Sequence, residues 1–158
     1  MNFAHARAAV EALIHEYCYR LDGGDLDGVA ELFAGATMTS SLRPDVVLTG
    51  RSQVRRNYDG VMLHADGTPR TLHRVTNLTI AFGGPTSATS RCYFDVVQQA
   101  TDGPLAPILA GEYRDRFALV DDAWRFEHRN IRPALIGDLS HHMRPEWIPR
   151  RRDPPDAG

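Results

Sequence analysis

The order of hydrophobic periods along the chain constrains its fold most: helical spacing comes first and strand-like alternation follows from Thr71 onward. Apolar side chains at Val10, Leu13, Ile14, Tyr17, Cys18 and Leu21 keep the i, i+3, i+4, i+7 spacing of one helical stripe. Gly23 and Gly24 end that helix. Asp25 then makes a good N-cap for a shorter helix whose Leu26, Val29, Ala30, Leu32 and Phe33 form a second apolar face. Two short extended pieces follow, near Met38 to Leu42 and Val46 to Thr49. A third helix is expected over about Ser52 to His64, with Val54, Tyr58, Val61 and Met62 on its buried side.

The later texture is different. TLHRVTNLTIAF, ATSRCYFDVVQQA, ILAGEYRDRFALV and AWRFEHRNIRPALI are separated by the turn-forming GGP, TDGP and DD, which suits four long antiparallel strands in a meander. Helices before a sheet argue for an α+β fold in which the helices cover one face of a curved sheet. The 158 residues suffice for one core, so a single domain over residues 1–143 is expected, with 144–158 as a tail rich in proline and arginine. The Arg150 to Arg152 run reads most simply as solvated.

Composition narrows the chemistry. With 42% hydrophobic and 24% charged residues and a net charge of -2, this is ordinary globular composition without the basic excess a nucleic-acid binder uses. All 18 Lys+Arg residues are arginines, which removes Schiff-base chemistry, lysine-anchored pyridoxal phosphate and a Walker-type phosphate loop. Cys18 and Cys92 make no disulfide framework or zinc knuckle, so a reduced, cytoplasmic setting is expected. The first residues lack the apolar core of a signal peptide, and no apolar run reaches membrane-spanning length; the expectation is a leaderless chain with no membrane partner.

Two polar residues stand out. Asp22 ends the first helix beside its apolar stripe, where the negative end of the helix dipole is poor company for an acid, so something else must favour it there. His73 shares a strand face with Val75 and Asn77, opposite Leu72, Arg74 and Thr76. If that face is the concave one, the first helix can bring Asp22 to the imidazole and give a base oriented by a carboxylate. An aspartate before Gly-Gly also serves as a turn residue, and a lone strand histidine as a packed group; spacing alone leaves both open.

The stretches IHEYCYRLDGGDLDGVAELF, TLHRVTNLTI, GEYRDRFALVDDAWRFEHRNI and IGDLSHHM resemble the SnoaL-like branch of the nuclear transport factor 2-like superfamily over roughly Ala4 to Met143. The resemblance implies a cone in which three N-terminal helices pack on a strongly curved, mainly antiparallel sheet around an apolar pocket. Members include scytalone dehydratase, bile-acid dehydratase, hexachlorocyclohexane dehydrochlorinase, steroid isomerase, polyketide cyclases and the non-catalytic small subunits of ring-hydroxylating dioxygenases. In the dehydratase and dehydrochlorinase members an Asp at the end of the first helix pairs with a His in the first long strand, which corresponds here to Asp22 and His73. The implied function is a cofactor-free lyase or isomerase for a small, mostly apolar molecule, with a binding or assembly subunit, or a cyclase or hydrolase, as alternatives. A homodimer or homotrimer is the implied assembly.

Further residues are candidates for the pocket. Tyr17, Tyr93 and Tyr113 could each turn a hydroxyl inward, and His128 and Asn130, on one face with Trp124 and Phe126, could line its mouth. A hydrolase would need another inward carboxylate, for which Glu112 and Asp115 are the candidates, and as residues of opposite parity at most one can point in. His141 and His142 are adjacent and point apart, so no metal site is expected from them.

Overall fold

The computed structural model describes residues 2–148. The apolar stripe belongs to α1 (Phe3–Asp22), which buries Val10, Ile14, Tyr17, Cys18 and Leu21 and is capped by the Asn2 side chain. At its far end Gly24 takes a left-handed φ of 77°, and the Gly67 carbonyl oxygen lies 2.1 Å from where a Cβ would stand. Glycine is therefore required at that turn. Asp25 caps α2 (Leu26–Glu31) by accepting from the Gly28 N–H at 2.8 Å.

The third helix is shorter than its apolar spacing suggests. α3 (Gly50–Asn57) gives way to a 3-10 turn at Tyr58–Gly60, because the following backbone is taken by the C-terminal segment. The Met62 N–H donates to the His142 carbonyl at 2.9 Å, and Val61 bridges Met143. Pro145–Trp147 forms a second 3-10 turn. Its Trp147 ring packs onto Gly60, where a Cβ would meet it at 2.5 Å. Order thus runs past residue 143 into the expected tail, while the Arg150 to Arg152 run lies outside the described residues.

Six strands form one sheet: β1 (Thr37–Ser40), β2 (Arg43–Thr49), β3 (Thr71–Phe82), β4 (Ser87–Gln98), β5 (Ala106–Val120) and β6 (Ala123–Ile136). Their order is β2-β1-β6-β5-β4-β3, an open sheet with the four long strands as the expected meander. It is mixed, since β1 runs parallel to β6. Four slips break strict alternation in the long strands: between Thr76 and Thr79, between Val96 and Val97, between Ala110 and Gly111, and between Arg116 and Phe117. Such bulges bend a sheet and re-aim the side chains beyond them. At the first, Asn77 holds φ at 54°; beyond it Leu78, Ile80 and Phe82 pack against the core. Among the described residues no helix is long and apolar enough to cross a membrane.

The interior among the described residues holds a fully buried ion pair. Arg129 on β6 and Asp115 on β5 are fully buried and doubly bonded, Nε to Oδ1 at 2.9 Å and Nη2 to Oδ2 at 2.8 Å. Burial works against the guanidinium charge, yet the Asp115 carboxylate outweighs it and raises the pKa of Arg129. The rings of Tyr17 and Tyr113 each lie with their centroids 4.2 Å from the guanidinium carbon, which supplies cation–π contact where water is absent. Replacing Asp115 by Asn leaves the buried cation without its counter-charge and should cost about 3 to 5 kcal/mol in urea unfolding. The joint Asp115→Leu, Arg129→Met variant should lose less than Asp115→Asn; an equal or larger loss would show that the uncompensated cation is not what makes Asp115→Asn costly.

Candidate active site

Asp22 closes α1 and His73 stands third in β3, and the end of the helix meets the start of the strand. Three donors converge on the Asp22 carboxylate: Thr71 Oγ1 to Oδ1 at 2.8 Å, the His73 backbone N–H to Oδ2 at 2.8 Å, and His73 Nδ1 to Oδ1 at 2.6 Å. Thr71 and His73 share a strand face, so alternation brings both side chains to the same acid. These bonds offset the unfavourable helix-end dipole. A carboxylate only accepts, so the short contact assigns an imidazole proton to Nδ1; in the neutral ring the lone pair is then on Nε2. The two side chains keep 13% and 5% of their surface, which excludes a solvated turn aspartate and a surface histidine.

His73 borders a cavity of about 430 Å³ between the helices and the inner sheet face. Phe94, Leu109, Leu139 and Ile131 give it apolar walls, and Trp147 of the C-terminal turn closes one side. Tyr17 and Tyr113 also line it, with the Tyr17 hydroxyl 2.9 Å from that of Tyr58. Burial raises the pKa of all three tyrosines, more than the nearby Arg129 lowers it, so their hydroxyls stay protonated.

Three expected pocket residues lie elsewhere. Tyr93 is half exposed on the outer sheet face, because Cys92 and Phe94 occupy the inward positions of β4. His128 also faces outward, its ring nitrogens 2.8 and 3.2 Å from the hydroxyls of Thr37 and Thr39. Partial burial, helped by Arg116, lowers its pKa. The cause is the β6 bulge at Glu127: Phe126 opposes Phe117 but His128 opposes Arg116, so parity reverses. Arg129 and Ile131 therefore turn inward, and Asn130 turns outward with His128. Of the two candidate carboxylates, Asp115 points in but is engaged by Arg129. Glu112 points out; although burial pushes the other way, Arg91 and Arg114 hold its carboxyl below the ordinary range.

The structure adds groups that the sequence does not assign to the site: Thr71 on the acid, Tyr58 beside Tyr17, and Arg129 behind the tyrosine rings. Polar residues of inward parity in β3 are a signal for Thr71; nothing in the sequence marks the bulge that turns Arg129 inward. Among the described residues no cluster of three His, Cys, Asp or Glu side chains is placed to hold a metal ion.

The model for the SnoaL-like domain matches residues 3–130. The chain belongs to the SnoaL-like family. Its fold matches that of a scytalone dehydratase-like protein from Novosphingobium aromaticivorans, 26% identical over 87% of this chain and 89% of that one, with a TM-score of 0.68. LinA shares the fold at 17% identity over 87% and 91% of the two chains, with a TM-score of 0.68. So does a protein similar to the beta subunit of an aromatic-ring-hydroxylating dioxygenase, from the same species as the first, at 15% identity, 90% and 99% coverage and a TM-score of 0.70. No curated protein sequence matches this SnoaL-like chain significantly.

A second histidine in the cavity sets a pH limit. Burial, reinforced by His73, pushes the pKa of His142 down from 6.5 to about 4. Between those values the unfolded chain binds a proton at this position that the folded chain does not, so the contribution of His142 to stability is full above 6.5 and is lost as pH falls toward 4. Urea unfolding should show wild-type stability falling over this window by up to about 3 kcal/mol more than that of His142→Leu. Parallel profiles for the two proteins would contradict this.

Proposed function

We propose that this SnoaL-like protein is a cofactor-free lyase or isomerase that acts on a small, mostly apolar organic molecule by dehydration, β-elimination or a double-bond shift. The observation that carries this reading is the His73 ring, bonded through Nδ1 to Asp22 at 2.6 Å and bordering a largely apolar cavity. In it, Nε2 takes a proton from carbon beside an activating group such as a carbonyl, and the C–H electron pair moves into that group. The imidazolium formed keeps its Nδ1–H on the Asp22 carboxylate, which stabilises the new charge and fixes the ring orientation. The electron pair then expels a leaving group from the neighbouring carbon or takes a proton at another carbon. Positioned proton transfer contributes about 10² to 10⁴-fold, so the substrate must already be an activated carbon acid.

The scytalone dehydratase-like relative supports the dehydratase form of this reading. A hydrolase needs a free inward carboxylate to activate water, and Asp115 is instead held by Arg129. An assembly subunit needs no cavity beside an Asp–His pair. The exposed Leu72, Tyr93 and Leu135 on the outer sheet face support association as a homodimer or homotrimer. Light scattering that gives a single-chain mass at micromolar concentration would remove that assembly.

The reaction is tested without knowing the substrate. An uncharged aromatic ketone, 1-tetralone, incubated with the protein in D₂O should exchange its α-protons faster than in buffer, read by proton NMR. His73→Ala should abolish most of the acceleration. Asp22→Asn, which keeps size but removes the charge, should reduce it by at least about tenfold. If wild type and both variants exchange at one rate, the general-base reading is wrong.

A further inference from the structure

The cavity contains a second imidazole that proton transfer by His73 does not use. His142 lies between β6 and the C-terminal 3-10 turn, borders the cavity, and has 7% of its surface exposed. Its backbone is pinned: the N–H donates to the Leu139 carbonyl and the carbonyl accepts from the Met62 N–H, each at 2.9 Å. The next residue, Met143, bridges Val61. Despite this fixed setting, Nδ1 is buried with no hydrogen-bond partner among the described residues. Buried polar atoms are nearly always satisfied, and the ring that carries this orphan borders an open volume through which a partner can reach its cavity-facing side.

The chemistry of that partner follows from the ring. The Asp22 carboxylate is already bonded to Thr71 and His73, and burial keeps His142 uncharged at neutral pH. A neutral imidazole offers one N–H and one lone pair, which suits an uncharged oxygen better than a carboxylate or a phosphate.

We propose that His142 is the substrate-recognition group of the cavity, donating its ring N–H to a carbonyl or hydroxyl oxygen of an uncharged, otherwise apolar compound. This rests on the cavity being the substrate site named above. When the oxygen is the carbonyl beside the acidic carbon, the same bond meets developing charge. The C–H bond breaks, its proton goes to His73 Nε2, its electron pair forms the carbon–carbon double bond, and the carbonyl π pair moves onto the oxygen that His142 holds. A neutral imidazole donor stabilises such an oxyanion without itself being consumed.

The test compares 1-tetralone with tetralin, the same skeleton without oxygen, by calorimetric titration of the full chain. Wild type should prefer the ketone by about tenfold. His142→Leu should remove the preference while binding tetralin as before, and His142→Gln, which keeps an N–H donor, should restore part of it. Should His142→Leu fail to fold by circular dichroism, the ¹⁵N shifts of the His142 ring in the wild type decide: they should move with 1-tetralone and not with tetralin. No ketone preference in wild type, a preference that survives in His142→Leu, or ring shifts indifferent to the ketone would each overturn the proposal. His73→Ala separates the two readings. Lost α-proton exchange by wild type with ketone preference intact would remove the general base and keep His142, whereas His73-dependent exchange without a His142-dependent preference would do the reverse.

Discussion

The guanidinium of Arg129 has no contact with solvent, and much of the interior is arranged around that fact. An unpartnered charge at this depth would cost several kcal/mol, so an acid must reach it with correct geometry. Asp115 does so from the directly paired position of the neighbouring strand. Rings from two layers, Tyr17 of α1 and Tyr113 of β5, sit against the cation at 81° to each other. Those rings are also part of the cavity lining. The contact of α1 with the sheet at this point therefore runs through the cation and these two rings, which the cavity shares.

The second tie between helix and sheet is Asp22. An acid at a helix C-terminus is electrostatically misplaced, and it persists here because β3 supplies two side-chain donors and one backbone donor to its two oxygens. The backbone N–H of His73 and its ring bond the same carboxylate, so the contact that docks α1 onto β3 also orients the imidazole. Disrupting it would loosen the layer packing and the imidazole together. For that reason Asp22→Asn, which retains one carbonyl acceptor and the side-chain size, separates charge from architecture better than truncation.

How much of this is legible in the sequence depends on whether parity holds. Helical spacing in α1 and α2 identifies the buried faces residue by residue, and turn chemistry at GGP, TDGP and DD separates the four long strands. His73 is on the inner face because alternation is unbroken from Thr71 to Val75. The same counting fails for His128 and Asn130, because the extra residue at Glu127 reverses the side chains beyond it as far as the next slip, at Ala134. Tyr93 fails for another reason: RCYFDVV carries apolar or amphipathic side chains on both faces, so its pattern does not say which face is buried. The end of α3 was hidden because Val61 and Met62 look helical by spacing but pair through their backbones with residues some eighty positions later. Contacts of that range leave no local mark.

One cavity therefore holds two histidines in opposite electrostatic settings. His73 has a carboxylate at 2.6 Å, a counter-charge already in place for a proton taken up at the other nitrogen. His142 has burial and a neighbouring imidazole working against its charge, with Asp22 engaged elsewhere, and it stays neutral down to about pH 4. Charging both would put two imidazolium ions beside one cavity with only the Asp22 carboxylate, bonded to His73, as counter-charge. The proposed division of tasks rests on these two settings: the imidazole beside the carboxylate exchanges protons, and the one without a carboxylate partner holds a hydrogen bond. The division follows from where Asp22 can reach: it closes α1 against β3, and the chain segment carrying His142 arrives from the opposite, C-terminal side, pinned to Met62 and Leu139.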